Sequence, residues 1–189
     1  MNPSSELKER KTLLRIKLRA AIRGLSHRER MARSLILCRS ILKTKEYLDA
    51  SRLLIYVSTP FEIQTLELIR HSLLLKKEVY VPLIGKRAGQ MTARRVQDPD
   101  KDLSTGAFGI LEPASGLPSV RVSRLDYITV PGLGFDSTGG RIGRGDGYFD
   151  RFLSNAPHAY KVGLAFREQL KMKIPMEPHD VFMDAVITG

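Results

Sequence analysis

Seven of the fifteen glycines in this chain fall within residues 132–147. The segment reads Pro131-Gly132-Leu133-Gly134-Phe135-Asp136-Ser137-Thr138-Gly139-Gly140-Arg141-Ile142-Gly143-Arg144-Gly145-Asp146-Gly147 and runs on into Tyr148-Phe149-Asp150-Arg151. Glycine loses more backbone freedom on folding than any other residue, so a segment this rich in it is costly to order. It is expected where backbone must come close to something. Arg141 and Arg144, interleaved with the glycines, point to an anion. Phosphate is the usual case, held by the backbone N–H groups of a glycine-rich nest. The competing reading is a flexible hairpin or a packed turn. Neither common nucleotide motif is present. No Gly-Lys-Ser/Thr follows, and a dinucleotide fingerprint begun at Gly143 and Gly145 would need glycine where Tyr148 stands.

The flanks of the segment set its context. Tyr127-Ile128-Thr129-Val130 is a short apolar run that reads as a buried strand feeding the glycines. A helix is expected from about residues 146–147 to about Leu153. Other strands are expected at Leu53-Leu54-Ile55-Tyr56-Val57, at Val79-Tyr80-Val81 with Pro82 as its end, more weakly at 91–96, at 162–165 and at 185–187. Glu62 to Leu75 reads as a helix, and 97–120 as loops with little regular structure. Before them, residues 6–24 carry Leu7, Leu14, Leu18, Ala21 and Ile22 at helical spacing, followed by Leu25. Gly24 stops that helix. Ser26 starts a second, with Glu29 completing a capping box. Its apolar face is expected at Met31, Leu35, Cys38, Ile41 and Leu42. Strands alternating with helices imply an α/β layered sheet, whose ligands bind outside the carboxyl ends of the strands. The length suits one domain, 1–189, with basic N-terminal helices over 1–50 packing on the α/β core.

The formal net charge is +11. Residues 1–50 hold thirteen Lys/Arg against five Asp/Glu, a local charge of +8. Such a balance suits nucleic acid or a polyanionic small molecule, and equally a solvated helical face. No nucleic-acid motif is visible and there is no Trp, so no nucleic-acid partner is expected. No run approaches the ~20 apolar residues of a membrane span, and the start lacks the apolar core of a signal peptide. The expectation is a cytoplasmic protein, a monomer or weak dimer, without membrane contact. The single cysteine, Cys38, excludes an internal disulfide framework, and its place on a helix face suggests a buried structural thiol.

Few residues carry chemistry outside the glycine segment. Asp150, one turn into the expected helix, either complements the helix dipole or holds Mg²⁺ beside phosphate. A second acid would then be wanted, and His179-Asp180 and Asp184 are the candidates. Glu62, at a strand's carboxyl end, either stabilises the first turn of a helix or recognises a polar ring or amide. His27, His71 and His158 have no partner at ligand spacing.

From Val130 through Arg151 the chain resembles the 5-formyltetrahydrofolate cyclo-ligase (methenyltetrahydrofolate synthetase) family. The likeness extends to Lys11-Thr12-Leu13-Leu14-Arg15, Tyr56-Val57-Ser58 with Glu62, Gly109-Ile110-Leu111-Glu112-Pro113 and Gly163-Leu164-Ala165-Phe166 with Gln169 and Leu170. It ends on Pro178-His179-Asp180 and Asp184-Ala185-Val186-Ile187-Thr188. The resemblance implies a three-layer, Rossmann-like α/β fold with a mostly parallel central sheet. It implies ATP- and Mg²⁺-dependent closure of 5-formyltetrahydrofolate to 5,10-methenyltetrahydrofolate. Carried over by position, the ATP contacts fall on Lys11, Arg15, Arg141, Ile142, Gly143, Arg144, Gly145, Asp146, Gly147, Tyr148 and Phe149. Folate contacts fall on Val57, Glu62, Arg144, Gly145, Asp146, Gly147 and Tyr148, and metal ligands on Asp150 and Asp180. Arg144 and Tyr148 are the residues expected at the chemistry. The chain departs from the family's usual residues at Asp146 (commonly Lys or Gly), Phe149 (often Tyr), Gln64 (an acid) and Leu83 (often Arg).

Overall fold

The computed structural model describes residues 3–85, 87, 89–106, 110–114 and 116–189. Gly109 of the family-like motif lies outside them. Two helices open the chain, α1 (Pro3–Arg23) and α2 (His27–Ile41). The capping box between them forms as expected. The Glu29 amide donates to Ser26 Oγ at 3.2 Å, and the Ser26 amide donates to Glu29 Oε2 at 2.9 Å. The buried face of α2 is the expected one at Cys38 and Ile41, with Leu42 packed beside them, but not at Met31 and Leu35. Arg30, Ser34, Leu37, Cys38 and Ile41 are buried, whereas Met31 and Leu35 are exposed. Arg30 and Ser34 can face inward because each has hydrogen-bond partners: Ser34 Oγ donates to the Arg30 carbonyl at 2.6 Å, Arg30 Nε donates to the Pro60 carbonyl at 3.0 Å, and Arg30 Nη1 donates to the Leu25 carbonyl.

After α3 (Lys45–Asp49) the chain enters a seven-stranded sheet. Its strands are β1 (Arg52–Leu54), β2 (Glu78–Ile84), β3 (Met91–Val96), β6 (Ser119–Val120), β7 (Tyr127–Val130), β10 (Tyr160–Ala165) and β12 (Ala185–Thr188). The order is β12-β10-β7-β1-β2-β3-β6. From β12 to β2 every pairing is parallel, while β2–β3 and β3–β6 are antiparallel. This is a mixed α/β fold on a large, mostly parallel sheet. Leu53, Leu54, Val79, Val81, Ile128 and Val162 are fully buried, as continuous apolar runs in a covered parallel sheet require.

Three sequence expectations need correction. Pro82 does not end its strand: β2 continues to Ile84. Beyond Tyr80 it pairs only with β3, so one side of it is an edge where a residue without an N–H is tolerated. The helix expected from Glu62 begins only at α4 (Leu66–Leu74), because residues 58–65 form a hydrogen-bonded loop. There Gln64 Nε2 donates to the Thr59 and Glu62 carbonyls, both at 2.8 Å. The stretch 97–120 is not all loop. It carries β6, the short α5 (Pro99–Asp102) and a two-stranded sheet of β4 (Leu103–Thr105) and β5 (Leu111–Pro113).

The glycine segment divides into two parts. Its first part is a hairpin, β8 (Gly134–Asp136) and β9 (Arg141–Ile142), joined by β11 (Leu170–Lys171) into a three-stranded sheet. Leu18 and Ile22 of α1 pack on this hairpin with Leu133, Ile142 and Ile174. Asp136 organises the turn. Its buried carboxylate accepts from the Thr138 amide, Thr138 Oγ1, the Gly140 amide and the Ile174 amide at 2.7–2.9 Å. Gly139 has φ of 85°, and a Cβ there would overlap the Met183 carbonyl oxygen. The hairpin reading therefore holds for 132–142, and close packing explains its glycines. The second part, 143–147, is open loop that leads into α6 (Tyr148–Leu153).

Candidate functional site

Chain order fixes where a ligand can sit. From β1 the chain builds outward through β2 and β3, then returns to lay β7 on the other side of β1 and continues to β10 and β12. The carboxyl ends of β1 and β7 thus flank a switch point, where the chain diverges and leaves a crevice. A cavity of about 400 Å³ opens there. Tyr56 and Val57 enter it after β1, and Pro131 and Gly132 after β7. Lys11 and Arg15 reach it from α1. Pro82, Leu83, Ile84 and Met91 form an apolar wall where β2 turns into β3, beside Ile110, Leu111 and Glu112.

Every residue to which the resemblance assigns an ATP, folate or metal contact lines this one cavity: Lys11, Arg15, Val57, Glu62, Arg141, Ile142, Gly143, Arg144, Gly145, Asp146, Gly147, Tyr148, Phe149, Asp150 and Asp180. Asp184, the alternative acid, does not line it. Asp184 Oδ2 accepts from the Lys161 amide at 2.7 Å instead. His27, His71 and His158 are exposed and lie outside the cavity.

The cavity's cations are mostly neutralised from within. Arg141, its side chain 4% exposed, pairs through Nη2 with Asp150 Oδ1 at 2.7 Å and donates to the Pro131 carbonyl at 3.1 Å. Its Nε is buried without a partner among the described residues. Arg144 Nη2 meets Glu62 Oε1 at 2.8 Å and Thr59 Oγ1 at 3.1 Å. Lys11 Nζ lies 2.7 Å from Glu177 Oε2 and 2.6 Å from Asp180 Oδ2. Arg15 is different. It donates to the Gly143 carbonyl at 3.0 Å and has no acidic partner among the described residues. Burial pushes the Asp180 carboxyl up, but the Lys11 ammonium and the Glu177 amide outweigh that and leave it below the ordinary carboxylate value.

Gly147 caps α6 with φ of 68°, a left-handed conformation that turns the loop into the helix. The turn sets Tyr148, Phe149 and Asp150 on the cavity. The Arg151 guanidinium lies 5.6 Å from the Tyr148 ring centre, and Arg151 Nη2 donates to the Asp146 carbonyl at 2.6 Å. A run of cations and glycine amides over one half of the cavity can hold phosphates. The apolar wall over the other half suits an aromatic ring.

The two acids nominated for a metal both line the cavity. Candidate ligand atoms of Glu177, His179 and Asp180 lie within 4.8 Å of one another, and Asp150 is not among them. Mg²⁺ takes oxygen donors, usually one or two carboxylates completed by phosphate oxygens and water. Asp150 and Asp180 both offer carboxylate oxygens to the same cavity, so the donor chemistry fits that ion. Glu177 and Thr59 were missed from the sequence. The acid–His–acid grouping of Glu177, His179 and Asp180 was the available signal for the first; nothing local marked the second.

A switch-point cavity lined by arginines and an open glycine loop on an α/β sheet suits an anionic ligand with a ring to bury. The chain belongs to the 5-formyltetrahydrofolate cyclo-ligase family, whose model matches residues 7–189. A 5-formyltetrahydrofolate cyclo-ligase from Mus musculus is 30% identical over 92% of this chain and 91% of its own length. A probable 5-formyltetrahydrofolate cyclo-ligase from Caenorhabditis elegans is 34% identical over 97% and 94%. The solved 5,10-methenyltetrahydrofolate synthetase of Aquifex aeolicus superposes with a TM-score of 0.81 at 31% identity, over 94% of this chain and 89% of that one.

Proposed function

We propose that this protein closes 5-formyltetrahydrofolate to 5,10-methenyltetrahydrofolate, using ATP and Mg²⁺ and releasing ADP and phosphate. The observation that carries the reading is the convergence on one switch-point cavity of every position to which the resemblance assigns an ATP, folate or metal contact. We read residues 1–189 as one cyclo-ligase domain of three-layer, Rossmann-like form, acting in the cytoplasm. No helix among the described residues is long and apolar enough to cross a membrane.

A formamide is a poor electrophile and its oxygen a poor leaving group. Attack of the formyl oxygen on the γ-phosphorus of ATP, with ADP departing, converts it to an imidate phosphate. The folate N10 then bonds to the former formyl carbon and loses its proton. The carbon–oxygen bond breaks, and phosphate leaves with the oxygen. In phosphoryl transfer the protein chiefly positions groups and stabilises charge.

The amides of residues 143–147 and the side chains of Lys11, Arg15 and Arg141 hold the nucleotide. Arg15 is the cation ready to do so without first giving up an acid. Arg144 bears on the transferring group. Val57, Glu62 and Tyr148 hold the folate, with Glu62 orienting the pterin ring and Tyr148 packing against it. Asp150 and Asp180 would hold Mg²⁺, which supplies charge neutralisation of the phosphates. The basic N-terminal helices meet two anionic substrates, ATP and a glutamate-bearing folate.

The test is to mix protein, ATP, Mg²⁺ and 5-formyltetrahydrofolate and to follow methenyl absorbance. Growth of the band that requires ATP is expected. No band at high enzyme concentration would reject the reading.

A further inference from the structure

Lys11 is only 5% exposed, a charged residue on the inward face of α1, in line with Leu7, Leu14, Leu18 and Ile22. Its ammonium is seated on two carboxylates at once, Glu177 Oε2 at 2.7 Å and Asp180 Oδ2 at 2.6 Å. Asp180 Oδ2 also accepts the Glu177 amide at 2.7 Å, which holds the two acids in a fixed relation. These acids and His179 are the described residues whose ligand atoms gather closely enough for one ion. The ammonium therefore occupies oxygens that a divalent cation would need.

An ammonium and a divalent cation cannot share the same oxygens, because like charges a few ångströms apart repel strongly outside bulk water. Lysine is a point charge on a flexible four-carbon stem, so it can move from one anion to another within reach. Lys11 lines the same cavity as the loop 143–147 and Arg15. We propose that Lys11 is an internal counter-ion that couples the two ligands. In the free protein it neutralises Glu177 and Asp180, and nucleotide phosphate draws it away and opens those carboxylates to the divalent cation. The inference rests on the reading of the cavity as a nucleotide and Mg²⁺ site. It adds Glu177 to the residues of that site and makes Lys11 a positioning residue for the ion.

The consequence is reciprocal. A cation arriving alone meets a positive charge, and phosphate arriving alone must compete with two acids for Lys11. Each ligand then tightens the other by the same factor.

The test uses Mn²⁺ as the probe, with the nucleotide-free protein, and reads bound Mn²⁺ by electron paramagnetic resonance. Lys11→Met should bind Mn²⁺ about tenfold or more tightly than wild type, since a competing charge has been removed. Lys11→Arg should stay weak, and adding Asp180→Asn to Lys11→Met should abolish the gain. Equal Mn²⁺ affinity in wild type and Lys11→Met would overturn the proposal. If Lys11→Met does not fold, wild-type protein decides. Amine-directed labelling of Lys11, read by mass spectrometry, should rise with saturating Mn²⁺ alone and fall again when ATP is added. Unchanged labelling would overturn the proposal. Neither readout involves folate or turnover, so a failed cyclisation assay and a failed coupling are separate results.

Discussion

Arg144 Nη2 lies 2.8 Å from Glu62 Oε1, and this contact joins the loop before α6 to the loop after β1 across the mouth of the cavity. The two ends are not equivalent. Glu62 is 15% exposed and its other oxygen accepts the Thr59 amide at 2.8 Å, whereas Arg144 is 55% exposed. Glu62 is the anchored member and Arg144 the one free to turn toward a ligand. The residue assigned to the transferring phosphoryl group and the residue assigned to the pterin thus hold each other until substrates arrive.

Arg144→Ala should lower turnover by about 10²-fold or more, the scale for losing a donor aimed at developing charge. Its effect on stability should stay within about 1 kcal/mol, because ion pairs this exposed contribute little. Steady-state rates and urea unfolding measure both. Near-wild-type turnover would remove Arg144 from the chemistry.

Glu62→Gln keeps an oxygen for the Thr59 amide and removes the charge. Folate affinity should weaken by about tenfold, in line with exchanging a charge-assisted hydrogen bond for a neutral one. Fluorescence titration with 5-formyltetrahydrofolate reads this directly. Unaltered affinity would sink the pterin role.

Asp150 separates two functions by substitution. Asp150→Ala strands the buried Arg141 guanidinium, whose side chain is 4% exposed. Removing one partner of a buried pair costs about 3–5 kcal/mol. Asp150→Asn keeps an acceptor for Arg141 and should cost less. It should still raise the Mg²⁺ concentration needed for half-maximal turnover. An unchanged Mg²⁺ titration in a stable Asp150→Asn would dismiss the residue as a ligand.

Legibility from the sequence followed the range of the interactions involved. Ser26–Glu29 was readable because a capping box is complete within four residues, and β7 because its four residues are all buried. The buried face of α2 was readable only in part: Cys38 and Ile41 are buried as expected, but Arg30 faces inward toward the carbonyl of Pro60, thirty positions away. The glycine segment left two readings open for the same reason. Its composition announced close backbone approach, but what approaches Gly134 and Gly139 is Leu18 and Met183 from the two ends of the chain, and what approaches Gly132 and Gly140 is the segment's own Phe135 and Asp136. Within the site, Asp150 was legible from its place beside the loop, whereas Thr59 acquires its role only when the fold brings Arg144 to it.

Gly139→Ala tests the packing explanation. The left-handed φ of 85° opposes any side chain, and the new Cβ would meet the Met183 backbone, which cannot swing aside as a side chain can. A loss of about 2 kcal/mol or more is expected from strain and overpacking together. Thermal unfolding checks it. A variant as stable as wild type would return these glycines to a ligand-binding explanation.

The last expectation concerns acid. Burial raises the Asp136 carboxyl, but hydrogen bonds from the Ile174 amide, the Thr138 hydroxyl and the Gly140 and Thr138 amides more than offset it. Its pKa therefore falls below the ordinary 3.8. A carboxylate depressed on folding contributes stability that is present in full above its unfolded value and is lost as pH falls through its folded one. Wild type should therefore lose stability as pH drops below about 3.8. Asp136→Asn should be less stable at neutral pH by about 1–3 kcal/mol, because its amide would face a buried N–H where an acceptor is required. Below the folded pKa of Asp136 the gap should narrow, since the wild-type carboxyl is then protonated as well. Urea unfolding of both proteins at stepped pH gives the difference at each point. A gap that does not change with pH would show that Asp136 acts through shape alone.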